Sequence, residues 1–224
     1  MHELIPNISN TDVIFNQTRY NTTITDNNEK SNTYGQHIIS STSGSDSLSN
    51  LFDNNEKTTW TSFGEYKSKS DDPITSITKN DSASETCGGD NYKIGSCIHN
   101  YMGNQSNKTI VKYIDEQGVN VTLNSKFPGE FIKINFPKEY YIYESFIEFN
   151  HNKFKPKTYF LLGYSPKHKR WEMIGRNINV NYAKNEDTLI INKTTRYNAV
   201  ILSITAGREE PSIKLNKFQI YGSN

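Results

Sequence analysis

From Tyr34 onward, short apolar runs alternate with turn residues at intervals of roughly 8–15 residues, and no 3.6-residue apolar period lasts long enough to make a helix. Each such run must bury a face against another layer, so the pattern predicts an all-β sandwich or barrel. The second half shows it most plainly. In Phe131-Ile132-Lys133-Ile134-Asn135-Phe136, residues Ile132, Ile134 and Phe136 share one face, and Ser145 to Phe149 alternates in the same way. Tyr159-Phe160-Leu161-Leu162 is apolar on both faces and predicts a central strand. Trp171 to Ile174, Thr188 to Ile191, Ala199 to Ile204 and Phe218 to Tyr221 complete the set.

Earlier, Thr109 to Ile114 and Val119 to Leu123 flank Asp115-Glu116-Gln117-Gly118, a β-hairpin signature with glycine where a positive φ is wanted. Residues 1–32 carry Asn and Thr with few apolar residues, and predict an arm, extended or docked on something else. Residues 33–224 form the expected domain, interrupted at about 64–108 by a Ser-, Asp-, Asn- and Gly-rich insertion. Loops that long inside a compact domain are usually functional or mobile. The insertion holds both cysteines, Cys87 and Cys97, with Gly88, Gly89 and Gly95 between them. Their spacing matches no zinc pattern. A small disulfide loop and a pair of free thiols fit it equally well.

Composition narrows the function classes. The chain has 224 residues, 12% aromatic, which disordered chains lack. A formal net charge of +1 gives no strongly basic field for nucleic acid. No apolar run approaches the roughly 18 residues of a membrane-spanning helix. The opening Met1-His2-Glu3-Leu4-Ile5-Pro6 has neither the basic nor the apolar region of a signal peptide. There is no Gly-x-Ser-x-Gly elbow, His-Glu-x-x-His or phosphate loop, and the five histidines are scattered, so an enzyme is not expected.

Four segments in order carry a family resemblance. They are Ser49 to Ser62, with Leu51-Phe52-Asp53-Asn54 and Thr58-Thr59-Trp60-Thr61-Ser62; Gly129 to Pro137; Lys155-Pro156-Lys157-Thr158-Tyr159-Phe160-Leu161-Leu162-Gly163 followed by a turn and Trp171; and Phe218 to Gly222. Together they resemble the discoidin, or coagulation-factor type C, galactose-binding-like domain. Coverage runs from about residue 33 to the end, apart from the insertion. The wording is similar to single-domain versions from large DNA viruses, and Asn, about an eighth of the chain, suits an AT-rich genome. The resemblance implies a jelly-roll β-sandwich of two antiparallel sheets, with Trp60 and Trp171 plugging its core. Asn54 stands where the family has glycine, and Asn tolerates the left-handed conformation well.

The resemblance also implies where ligands go. Family members often hold Ca²⁺ with carbonyls of the first turn, an Asp, a Thr hydroxyl and a Glu on the last strand. Here Asp53, Glu56 and Thr58 (or Thr59) supply hard oxygen atoms. Lys217 occupies the place of the last acid; it predicts an ammonium in place of the ion, paired with Asp53. No cofactor is therefore expected, with Ca²⁺ as the alternative. The family's binding groups sit on loops at one end of the sandwich, which here are His151-Asn152-Lys153-Phe154 and Ala206 to Glu210 with Arg208, joined by the aromatic residues Phe63 and Tyr66. Planar polar groups and an aromatic ring suit a sugar.

Two further features are bland by comparison. Lys153, Lys155, Lys157, Lys167, Lys169 and Arg170 form a basic stretch that flanks a hairpin and suits solvated loop ends. Eight Asn-x-Ser/Thr sequons, at Asn7, Asn16, Asn21, Asn80, Asn104, Asn107, Asn120 and Asn192, are slightly more than this composition gives by chance.

Two function classes follow. One is a non-catalytic structural or surface protein of a virus particle, a minor capsid or decoration component in the virion, contacting other particle proteins through the arm and insertion. The alternative is a carbohydrate-binding lectin at the cell surface or outside the cell.

Overall fold

The computed structural model describes residues 1–17, 22–41, 44–62, 75–79, 83–85, 97–98, 111–114, 120–123, 130–177, 180–181, 183–207 and 212–224. The chain is all-β. Its strands are β1 (His2–Glu3), β2 (Val13–Gln17), β3 (Thr22–Asp26), β4 (Gly35–Ser41), β5 (Trp60–Thr61), β6 (Thr75–Lys79), β7 (Ala83–Glu85), β8 (Cys97–Ile98), β9 (Val111–Ile114), β10 (Asn120–Leu123), β11 (Glu130–Phe149), β12 (Pro156–Ser165), β13 (Arg170–Asn177), β14 (Glu186–Ile190), β15 (Arg196–Gly207) and β16 (Lys214–Ser223). Short 3-10 turns cover Ser45–Leu51 and Asn152–Phe154.

The long strand β11 organises two layers. Its first part lies between β4 and β15, in the order β2-β3-β4-β11-β15-β12-β13. Its second part lies between β16 and β14, with β1 and β5 along the far side of β16. Pro137 sits where the register with β15 slips between Asn135 and Tyr140. Proline cannot donate to a ladder, so it belongs at such an interruption. Sequence alternation finds the two ends of β11 but not their continuity.

The core fills the space between the layers. Ile24, Ile39, Ile132, Ile134, Val200, Leu202 and Ile204 enter from the first, and Trp60, Ile142, Ile147, Phe149, Leu215, Phe218 and Ile220 from the second; all are buried in one cluster. This is the jelly-roll β-sandwich the sequence predicts; among the described strands, pairing is antiparallel except that β9 runs parallel to β13. Tyr159, Phe160, Leu161 and Leu162 are all buried, as a central strand requires. The hairpin around residues 115–118 pairs as expected, Asn120 with Ile114 and Leu123 with Val111.

Residues 1–32, expected as an arm extended or docked on something else, lie against the sandwich: β1 pairs with β16, β3 pairs with β4, and Leu4 and Ile5 are fully buried. One expectation is corrected. Trp171 does not plug the core. It is half-buried, with its ring 5.4 Å edge-on from Tyr164 and Lys133 Nζ 5.6 Å from its centroid. Trp60 is fully buried. Of the 64–108 insertion only short strand backbones are described. Cys87 and the Cys97 side chain lie outside the described residues, and the choice between a disulfide and free thiols with them.

Candidate functional site

One end of the sandwich gathers the turn 53–59, the corner 150–155 and the start of β16. Backbone contacts fix the grouping. Lys214 pairs with Thr61 and Leu215 with Trp60. The Asn150 amide donates to the Lys214 carbonyl at 3.3 Å, and Ser62 N to the Ile213 carbonyl at 2.9 Å. Pro156, which opens β12, pairs with Gly207, which closes β15. The strands that lead into residues 63 and 208 thus end beside this corner. Phe63, Tyr66 and Arg208 themselves lie outside the described residues, as does the Asn152 side chain.

The corner is a built turn. His151 caps it in extended conformation (φ −157°, ψ 148°), and its Nδ1 accepts the Lys153 amide at 3.3 Å. An imidazole whose Nδ1 accepts carries its proton on Nε2, so the exposed ring presents a fixed donor. The Phe154 amide closes the turn on the His151 carbonyl at 3.0 Å. Phe154 is half-buried, 6.2 Å from the His151 ring in an edge arrangement, and Lys214 Nζ stands 4.2 Å from its centroid. A cation over a ring is attracted by its quadrupole. Lys153 is exposed.

Behind the corner a polar network ties the three segments. Asn150 Nδ2 donates to Thr59 Oγ1 at 3.0 Å and to Asn216 Oδ1 at 3.2 Å. Thr59 Oγ1 donates to Asn216 Oδ1 at 3.2 Å, and Asn216 Nδ2 to the Glu56 carbonyl at 3.1 Å. Asn50 Nδ2 reaches the Thr59 carbonyl at 2.9 Å. Lys155, expected among solvated lysines, is fully buried; its ammonium donates to the Lys184 carbonyl and lies 5.5 Å from the Phe149 centroid. Lys167, Lys169 and Arg170 stand at the far end of the ten-residue β12, about 30 Å away at ~3.3 Å per residue. The basic stretch is therefore not one patch.

Asp53 and Thr58 meet, but as partners of each other. Thr58 Oγ1 lies 2.7 Å and 3.0 Å from the two Asp53 carboxylate oxygen atoms, and the Asn55 amide donates to Oδ1 at 2.9 Å. Glu56 instead lines a shallow depression of about 460 Å³ with Glu148, Lys184, Asn185 and Glu186. Asn54 takes the left-handed conformation expected of it (φ 53°). Lys217 Nζ lies 2.8 Å from Asn54 Oδ1 rather than pairing with Asp53, which corrects the sequence expectation. An ammonium at this turn would repel a divalent cation.

At the opposite end of β12, Glu172 accepts from His168 Nδ1 at 2.8 Å, Arg170 Nε at 3.1 Å and Tyr197 OH at 3.1 Å. Burial pushes its carboxyl up, but the bonds from His168, Arg170 and Tyr197 outweigh it and hold the group below its ordinary value. With three donors on it, this carboxylate serves as a structural tie between β13 and β15.

Sequence reasoning missed Asn150, Lys214 and Asn216. A signal was there: Ile213 and Leu215 are apolar at alternate positions, so the alternation places Lys214 and Asn216 on the other side of β16.

No protein-family model matches the chain, and no curated protein matches it. Among solved structures it is similar to a family 32 carbohydrate-binding module from Clostridium perfringens NanJ in complex with galactose (10% identity, TM-score 0.46, covering 82% of this chain and 92% of that one). It is also similar to a family 32 module of a family 31 glycoside hydrolase from Clostridium perfringens (14%, 0.43, 82% and 88%). A third is the chitosan-binding module 1 of a chitosanase/glucanase from Paenibacillus sp. IK-5 (10%, 0.44, 82% and 93%). The likeness is one of overall β shape, and no ligand is inferred from it.

Proposed function

We propose that the chain is a non-catalytic glycan-recognition module, working outside the cell or at a surface, and that it binds sugar at the end of the sandwich built from 53–59, 150–155 and 214–217. One observation carries this reading: the exposed His151, whose Nδ1 accepts the Lys153 amide, stands beside the half-buried Phe154 ring on a corner anchored from behind by Asn150. A sugar offers hydroxyls that need directional donors and a C–H face that needs an aromatic surface. His151 and Phe154 provide both, and Lys214 adds a cation beside the ring. A corner fixed before binding loses little freedom when a ligand arrives. The site is open, which suits chain ends and branches of cell-surface glycans.

The rival role in a virus particle drew on contacts through residues 1–32 and the insertion. The first of these segments supplies β1 and β3 of the sandwich.

A glycan array probed with the whole chain tests the proposal. Binding is expected, with His151→Ala and Phe154→Ala each weakening it about tenfold or more, the equivalent of roughly 1.4 kcal/mol, at unchanged circular dichroism. No retained glycan, together with co-purification in fixed stoichiometry with particles, would favour the structural role.

A further inference from the structure

We propose that the Lys217 ammonium is the resident cation of the 53–59 turn, so that this end of the sandwich is assembled without a divalent metal. The argument rests on how the turn's oxygen atoms are used. The Asp53 carbonyl accepts the Ser9 hydroxyl at 2.8 Å. The Asn55 carbonyl accepts the Thr58 amide at 3.0 Å, and the Glu56 carbonyl accepts Asn216 Nδ2 at 3.1 Å. The Asp53 carboxylate is held by Thr58 and by the Asn55 amide. The Asp53, Asn55 and Glu56 carbonyls and the Asp53 carboxylate therefore already have donors from the protein.

Those donors come from three directions. Ser9 belongs to the N-terminal segment, whose Ile8 amide also donates to the Phe52 carbonyl at 3.0 Å. Thr58 belongs to the turn itself, and Asn216 to the last strand. Lys217 completes the set from the same strand, reaching Asn54 Oδ1 at 2.8 Å, with Glu148 as its cross-strand neighbour on β11. The ammonium is thus held on Asn54, with Glu148 opposite it on the neighbouring strand, and it brings to the turn a positive charge that an ion would otherwise have to bring. Its four-carbon stem is tethered to β16, so the cation arrives with the fold rather than by binding from solution. The N-terminal segment has a purpose in this scheme: Ser9 and Ile8 staple the turn from outside.

Thermal melting of the whole chain, in EDTA and in millimolar calcium, reads the turn alone, whether or not the end binds sugar. The wild-type midpoint is expected to be the same in both. Lys217→Glu, which places a carboxylate among Asp53, Glu56 and Glu148, is expected to melt several degrees lower in EDTA and to recover on adding calcium. Lys217→Met, which removes the charge without adding a ligand, is expected to melt lower and to ignore calcium. A wild-type midpoint that rises by several degrees with calcium would overturn the proposal. So would a Lys217→Met variant as stable as wild type. Should Lys217→Glu fail to fold, the wild-type and Lys217→Met melts still decide.

Discussion

His37 sits fully buried between β3 and β11, with Nε2 2.9 Å from the Leu4 carbonyl, Nδ1 without a hydrogen-bond partner, and its ring edge-on to Phe136 at 6.1 Å. Burial pulls its pKa from 6.5 down to about 4, against the opposing bond to Leu4. The folded value lies below the unfolded one, so the neutral ring's contribution is complete above about pH 6.5 and is lost as pH falls from there towards 4. At 1.36 kcal/mol per unit, the loss is on the order of 3 kcal/mol. Asp26 is also depressed, since the bonds from Thr33, Ser31 and Asn28 outweigh its burial, so it titrates below its ordinary 3.8 and outside that window. Urea unfolding at pH 7 and pH 4.5 checks this. Wild type should lose most of that stability, and His37→Gln should show a much flatter pH dependence.

At the scale of elements, legibility depended on what carries the alternation. In β11, β12, β15 and β16 the inner positions are Ile, Leu, Val, Phe or Tyr, and the strands stand out in the sequence. In β3 the same two-residue period is present, but Thr22 and Asp26 occupy inner positions beside Ile24. Asp26 can be buried because Thr33 Oγ1 donates to it at 2.5 Å and the Asn28 amide at 2.9 Å. A hydrophobic pattern cannot reveal a strand whose buried residues are polar and paired, and so residues 1–32 read as an arm. The site was half legible for a similar reason. The corner His151 to Phe154 is contiguous in sequence, whereas Asn150, Thr59 and Asn216 meet only through the register of β11, β16 and β5. Close packing around β16 gives a second test at this scale. A Cβ on Gly222 would lie 2.0 Å from the Tyr141 carbonyl and 2.7 Å from Leu4. Gly222→Ala should therefore cost at least the ~1–3 kcal/mol of an overpacked core, measured by urea unfolding, and loosen β1 first. A change of a few tenths would show that β1 and β11 yield without strain.

Across the whole molecule, the proposed site lies at one end of the two layers. The tied-up Glu172 cluster and the basic hairpin tip stand at the other end of β12, and the acidic depression at Glu56, Glu148 and Glu186 borders the 53–59 turn. A recognition module of this design should meet its ligand with local contacts and little rearrangement. Amide chemical-shift mapping during titration with a glycan selected on the array tests this most directly. The account predicts shifts confined to residues 53–62, 150–155 and 212–217 and to the connections that begin at 63 and 208, with β2, β3 and the 165–172 hairpin unmoved. Shifts centred on that hairpin, or no glycan producing any shift at all, would contradict it.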